Sequence, residues 1–244
     1  MAINVLINGA FGRMGQTAVK AIEHDPRFDL VGQTGREYDL KKAIHDSKAD
    51  VVIDFTRPDA VFHNANIIID CNVHPVIGTS GLTLDEIKKL KERCEKTKLG
   101  GIIAPNFSIG AVLMIKYARE IVKYMPRVEI IEMHHERKAD SPSGTAMRTA
   151  DALADELGQK LEPPQPTHET AKGARGALHR NVPIHAVRLP GILAREEIIF
   201  GEPGETLTLR HDSIDRECFM PGVLLSCERV MTLDHLVYGL EEIL

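Results

Sequence analysis

A short β-branched run, "INVLIN", ends at Asn8 and gives way at once to three glycines, Gly9, Gly12 and Gly15, within "GAFGRMG". A helical pattern, "GQTAVKAIEHD", follows directly, with Ala18, Ala21 and Ile22 on one face. Few folds accept this order. The first glycine permits a tight turn, and the second lets backbone N–H groups approach a pyrophosphate. The third lets the helix lie close to the strand, and the helix N-terminus then faces the anion. Taken alone, the triplet also fits a plain tight turn.

The following ninety residues decide between these readings. "DLVGQT", "DVVIDF", "HPVIGT" and "GGIIAP" read as strands. "PDAVFHNANIIIDC", opening on Pro58, and "TLDEIKKLKERCEK", with Thr83 and Glu86 at capping-box spacing, read as helices. Continuous apolar strands alternating with helices predict a parallel doubly wound sheet, a Rossmann-like α/β domain. At the tip of the second strand, Gln33, Thr34 and Gly35 offer no ribose-binding acid, and Arg36 comes next. Its guanidinium suits a 2′-phosphate, unless it is simply a solvated surface residue.

Beyond residue 108 the pattern changes. "IGAVLMIKYAREIVKYM" predicts a long helix stopped by Pro126, "RVEIIEMHH" a strand, and "TAMRTADALADELG" a helix closed by Gly158. Residues 162–181, rich in Pro, Gly and charge, predict a surface loop. "VPIHAVRLPG", "AREEIIFG" and "ETLTLRHDS" follow as strands, giving a central α+β domain with an open, mostly antiparallel mixed sheet. The last segment, from Pro221, reads as helical and returns to the first domain. The expected division is 1–106 with 216–244 for the nucleotide domain, and 107–215 for the central one. A chain of 244 residues suits two such domains.

A net charge of −5 gives no basic bias toward nucleic acid. No stretch approaches the roughly 20 apolar residues of a membrane helix, and no basic leader precedes the first apolar run. Cys71, Cys94, Cys218 and Cys227 form no Cys-x-x-Cys pair and no zinc-spaced cluster. They read as small buried hydrophobes in a reducing cytoplasm, with no metal site.

The chemistry concentrates in "HHERKADSPSGTA", residues 134–146. His134 and Lys138 are four apart, so they converge on one face whether the chain stays extended or turns helical. An imidazole is well placed to donate a proton near neutrality. Ser143, Gly144 and Thr145 then open a helix whose free N–H groups suit a carboxylate. A solvated strand end with a serine cap is the bland alternative.

At this point the sequence resembles the 4-hydroxy-tetrahydrodipicolinate (dihydrodipicolinate) reductase family along essentially its whole length. "GAFGRMG", "VVIDFTRP", "IGTSG", "APNFS", "EIIEMHHERKADSPSGTA", "IHAVRLPG" and "FMPGV" stand in the family's order. The resemblance implies NAD(P)H-dependent reduction of a cyclic dicarboxylate to tetrahydrodipicolinate, in diaminopimelate and lysine biosynthesis. It implies His134 as proton donor and Lys138 as its catalytic partner, with His135, Gly144 and Thr145 as substrate contacts. Gly9, Ala10, Phe11, Gly12, Arg13 and Met14 are the implied cofactor contacts, with Gly78, Thr79, Ser80, Ala104, Pro105, Asn106 and Phe107. It also implies a homotetramer formed through the central sheets. Members with dual cofactor specificity often carry Glu-Arg at the second strand tip. Here the pair is Gly35-Arg36, which leaves NADH against NADPH open and favours tolerance of both. Hinges are expected near 105–108 and 214–218. The rival readings are another nicotinamide dehydrogenase acting on an amino acid or semialdehyde, and a non-catalytic redox sensor that has no need of the His134–Lys138 pair.

Overall fold

A computed structural model describes residues 2–158 and 168–244, so residues 162–167 of the expected loop lie outside the described residues. The chain divides into two compact units. One runs to Ile109 and resumes at Arg216–Leu244, and the other is Gly110–Asp215. The first crossing thus falls three residues beyond the 106/107 division read from the sequence.

The first unit holds β1 (Ile3–Asn8), α1 (Arg13–His24), β2 (Phe28–Thr34), α2 (Leu40–Ser47), β3 (Val51–Asp54) and α3 (Val61–Asp70). β4 (His74–Ile77), α4 (Leu84–Thr97) and β5 (Gly101–Ile103) complete its N-terminal part. After the second unit come α7 (Met220–Arg229) and β11 (Leu236–Tyr238). The six strands form one parallel sheet in the order β11-β5-β4-β3-β1-β2. Every residue of β3 is buried, as a strand covered on both faces must be. One face lies under α2, α3 and α4 through Leu40, Ile44, Ile68, Leu90 and their neighbours. The other meets α1 and α7. Thr83 and Glu86 form the full capping box at the start of α4, worth about 1 kcal/mol.

Two local readings change. Pro58 is not the first residue of a helix: residues 58–60 form a turn, whose Ala60 and Val61 N–H groups bond to the Arg57 carbonyl, and α3 starts at Val61. The C-terminal segment is not helical throughout. Its "LVY" pairs with β5 as β11, because an edge position beside Gly101–Ile103 satisfies its backbone groups.

The second unit holds α5 (Ile109–Val122, joined at its first residue to the other unit), β6 (Val128–His134), α6 (Gly144–Leu157), β7 (Ala177–His179), β8 (Val182–Arg188), β9 (Ala194–Glu202) and β10 (Glu205–Ser213). Its sheet runs β10-β9-β6-β8-β7, antiparallel except for the parallel pair β6 and β8. β7 forms inside the segment expected to be a loop, where Ala177–His179 pair with Val182–Ile184. On one face Val128, Ile130, Ile184, Ile198 and Phe200 bury against Met114, Ala118, Ala150 and Leu153 of α5 and α6. β6 alternates between buried and part-buried residues from Val128 to Glu132, the period of a sheet covered on one side.

Candidate functional sites

In a parallel sheet all strands end on the same edge, so the loops after β1 to β5 collect there. The first five strands lie in the order 2-1-3-4-5, and that order reverses between β1 and β3, where such sheets bind ligands. A ladder of backbone bonds straps these loops together: Gly9 and Ala10 N–H to Thr34, Phe55 to Asn8, Gly78 to Asp54 and Ala104 to Ile77. Gly9 sits at φ +87, and a Cβ on it would overlap the Phe55 carbonyl. A Cβ on Gly15 would overlap the Gly9 carbonyl, so helix and loop touch there. Gly12 differs. Its nearest neighbour lies at 3.4 Å, so nothing in the chain forbids a side chain, and the space is open for an incoming group. Gly12 is also the N-cap of α1 and supplies no side-chain cap. Open space beside an uncapped helix N-terminus fits a pyrophosphate.

The other expected contacts divide by burial. Phe11, Gly12, Arg13, Ser80 and Pro105 are exposed, and Met14, Gly78, Thr79 and Asn106 are part-buried. Ala10, Ala104 and Phe107 are buried. Gly78 has a structural duty as well: a Cβ there would run into Phe55 and Phe107, whose rings meet edge to face at 5.8 Å. Phe11 stacks on Tyr38, with ring centroids 5.9 Å apart. Arg36 is exposed beside this pair in sequence and makes no ion pair among the described residues.

Sequence reasoning missed the residue that organises this edge. Asp54 ends the apolar β3 and is completely buried. Its Oδ2 accepts from Asn8 and Asn64 at 2.9 Å each. Its Oδ1 accepts from the hydroxyls of Thr56 at 2.7 Å and Thr79 at 2.6 Å. Thr34 closes the set by donating to Asn8 Oδ1 at 2.9 Å. One carboxylate thus ties together the ends of four strands. A polar residue closing an apolar strand was the available signal.

The second site lies at the end of β6. The chain there is neither extended nor helical. Lys138 N–H bonds back to the His135 carbonyl at 3.1 Å, a turn that ends the shared-face geometry expected for His134 and Lys138. Each side chain has its own carboxylate instead. His134 Nδ1 meets Glu132 Oε2 at 2.7 Å. Lys138 Nζ meets both carboxylate oxygens of Asp140, at 2.7 and 2.9 Å. That ammonium, joined by backbone amides that include Gly144, outweighs the opposing effect of burial and holds the Asp140 carboxyl below its ordinary range.

Glu132 is completely buried. Arg188, opposite His134 in the parallel β6–β8 register, forks onto it with Nη2 to Oε1 at 2.7 Å and Nη1 to Oε2 at 2.8 Å. The Ser143 amide donates to Oε1 at 3.1 Å. Burial alone would raise this carboxyl, but His134 and Arg188 outweigh it and hold it low. Directly across the β6–β9 ladder stands Glu196, also buried. Burial pushes its carboxyl up to about 7, with the Thr149 hydroxyl at 2.6 Å opposing. Two facing carboxylates are therefore split into one ionised and one that holds its proton near neutrality.

α6 begins at Gly144, with Ser143 as N-cap accepting from the Ala146 amide at 3.1 Å. A Cβ on Gly144 would meet nothing within 4 Å. Among the described residues, the buried side-chain polar atoms without a partner are His135 Nδ1 and Arg188 Nε. One lies just past the end of β6 and the other at the end of the neighbouring β8, and an unpaired buried polar atom is uncommon in a folded chain. Arg188, like Glu132, was not foreseen; 56 residues separate the two in sequence.

Residues 3–107 match the family described as dihydrodipicolinate reductase, N-terminus, and residues 110–244 match dihydrodipicolinate reductase, C-terminus. The chain belongs to the dihydrodipicolinate reductase family. It is 52% identical to a 4-hydroxy-tetrahydrodipicolinate reductase of Coxiella burnetii (strain Dugway 5J108-111), over 100% of both chains. A Legionella pneumophila (strain Paris) protein of that name is 48% identical, again over 100% of both. The dipicolinate-bound dihydrodipicolinate reductase from Paenisporosarcina sp. TG-14 superposes with a TM-score of 0.93, at 42% identity and covering 100% of both chains. A probable dehydrogenase from Thermotoga maritima shares the fold alone, at 10% identity and a TM-score of 0.67 over 99% of this chain and 92% of that one. Family members are NAD(P)H-dependent oxidoreductases, so neither a redox sensor nor a dehydrogenase of another class describes this chain.

The cysteine reading needs correcting. Cys94 and Cys227 are buried, and burial pushes the Cys94 thiol up to about 11 and the Cys227 thiol higher, but Cys71 and Cys218 are only part-buried. Among the described residues no helix is long and apolar enough to cross a membrane.

Proposed function

We propose that this reductase protonates its substrate from His134, with Lys138 supplying fixed positive charge and His135, Gly144 and Thr145 receiving a carboxylate. The reaction is reduction of 4-hydroxy-tetrahydrodipicolinate to tetrahydrodipicolinate in diaminopimelate and lysine biosynthesis. The observation that carries the residue roles is the carboxylate already held there. Lys138 and the first turn of α6 grip the side chain of Asp140. A substrate carboxylate taking that place would gain the same ammonium and helix terminus. The dipicolinate in the Paenisporosarcina relative is a dicarboxylate of the required kind.

The bound nicotinamide supplies the hydride. Gly9 to Met14, Arg36, Gly78 to Ser80 and Ala104 to Phe107 are the proposed cofactor contacts, and they bind and orient it. At the other site the substrate's two negative charges are met by Lys138, the α6 N-terminus and the free Arg188 Nε–H. His134, with Nδ1 turned to Glu132, holds the transferable proton at Nε2. The protein is further read as a cytoplasmic homotetramer joined through its central sheets, with the domain division 1–106 with 216–244 and 107–215.

A steady-state assay on the cyclic imine, with NADH and NADPH in turn, tests the reading. Lys138→Ala should cut kcat by about 100-fold, the worth of roughly 3 kcal/mol of electrostatic stabilisation, and leave cofactor binding intact. Near wild-type turnover in that variant would remove Lys138 from the mechanism.

A further inference from the structure

We infer that Glu132 is the positioning residue of the proton transfer: it fixes the ring of His134 and its tautomer, and supplies the counter-charge for the imidazolium. The inference rests on the reading of His134 as proton donor.

Residues 132 and 134 share one face of β6, two positions apart, so their side chains stand side by side. On that face the flanking Val128 and Ile130 are core residues, and a carboxylate there is costly to bury unless every lone pair is used. Here they are used. Oε1 accepts from Arg188 and from the Ser143 amide, and Oε2 accepts from Arg188 and faces His134 Nδ1. With Oε2 an acceptor only, Nδ1 must carry a proton. Nε2 is then the ring atom left to exchange one with substrate. An imidazole with protons on both nitrogens is a cation, and ionised Glu132 lies against it. When Nε2 gives its proton to substrate carbon, Nδ1 keeps its own, and the neutral ring stays anchored.

The other members of the cluster hold Glu132 in place. Arg188 is fixed by two further bonds, to the Val187 carbonyl at 2.7 Å and the Asp140 carbonyl at 2.8 Å. Its fork therefore also ties the turn that carries Lys138. The Ser143 amide joins the same carboxylate to the start of α6. Glu196, which faces Glu132 across the ladder, forms no ion pair among the described residues, while Glu132 takes the Arg188 fork, so the negative charge of the pair stays on Glu132. Glu132 is thus locked against the ring of the proton donor.

The test uses the full-length protein labelled with ¹⁵N-histidine, with the His134 signals assigned from His134→Gln. In the wild type, His134 Nδ1 should carry a proton in the resting state. In Glu132→Gln that signal should shift or broaden, and kcat should fall at least tenfold with the NADPH Kd unchanged. In the His134→Gln background, Glu132→Gln should change kcat less than twofold, because the residue it serves is gone. Should Glu132→Gln fail to fold, Glu132→Asp keeps the charge for Arg188 but withdraws it from His134. The same signal change and kcat loss are expected there. Wild-type kcat in the foldable Glu132 variant, with His134→Gln impaired, would overturn this inference alone, as would full additivity in the double variant. Wild-type kcat in His134→Gln would overturn the donor reading, and with it any catalytic role for Glu132.

Discussion

At the residue scale the site shows what a sequence can and cannot announce. His134, Lys138 and the Ser-Pro-Ser-Gly-Thr turn stood out because reactive residue types crowd a dozen positions. Glu132 and Arg188 did not, because an acid inside an apolar strand and an arginine 56 residues on meet only through the β6–β8 register. Glu196 was equally silent, and it has a measurable consequence. The groups facing it are Thr149 and Arg148 from α6, Glu132 from β6 and, in register on β10, His211, whose own ring burial pushes down. Its carboxyl is raised from 4.5 to about 7 in the folded chain. Between those values the folded state binds more protons than the unfolded one, so stability falls as pH rises through this window. Above about pH 7 the full penalty applies, on the order of 3 kcal/mol. Glu196→Gln removes it. Urea unfolding of variant and wild type should show the variant gaining between pH 5 and pH 8 by up to about that amount. An identical difference at both pH values would mean that Glu196 does not titrate there.

At the scale of elements the alternating strands and helices of the first unit were legible, because period and capping residues agree along the chain. The three-residue β11 was not, since "LVY" inside a helical-looking tail carries no period of its own and forms only because β5 offers an open edge. The strand ends hold two tests. Asp54→Ala strips one acceptor from Asn8, Asn64, Thr56 and Thr79 at once, so thermal unfolding should show a loss of about 3 to 5 kcal/mol. A fall of less than 1 kcal/mol would mean that these groups find other partners. At the tip of β2, Arg36 is the proposed partner of a 2′-phosphate. Arg36→Ala should raise the NADPH KM about fivefold, the worth of roughly 1 kcal/mol for an exposed charge pair, and barely alter that of NADH. Position 35, next to it, offers a second variant. A Cβ at position 35 would meet Phe11 Cδ2 at 2.9 Å, so any side chain there moves the Phe11 ring. Gly35→Glu should shift preference toward NADH, and Gly35→Ala separates the ring's displacement from the added charge. Equal shifts in both would assign the effect to Phe11.

For the whole molecule, the sequence conveyed that two kinds of sheet follow one another and that the chain returns to the first at its end. What it could not convey is which face of the second sheet stays open. Both helices of that unit cover one face. On the other, Glu129, Ile131, Met133, His185, Arg195, Glu197, Ile199, Arg210 and Asp212 stand together by strand register. Its charges are largely paired within the chain: Glu129 with Arg175 and His185, Asp212 with Arg195 and Arg210, Glu197 with Arg210. Ile131, Met133 and Ile199 are only part-buried between these pairs. A face of internally neutralised charge with apolar residues set among it loses little on meeting a second copy of itself, and gains the apolar area. Association through this face is what the proposed tetramer requires. Ile199→Asp places an unpaired carboxylate in it, opposite Glu129 on β6. Light scattering should then report a smaller species than the unsubstituted protein gives. NADPH fluorescence titration should be unchanged, because the nucleotide loops belong to the other unit. A tetramer that survives Ile199→Asp at micromolar concentration would show that the subunits meet elsewhere.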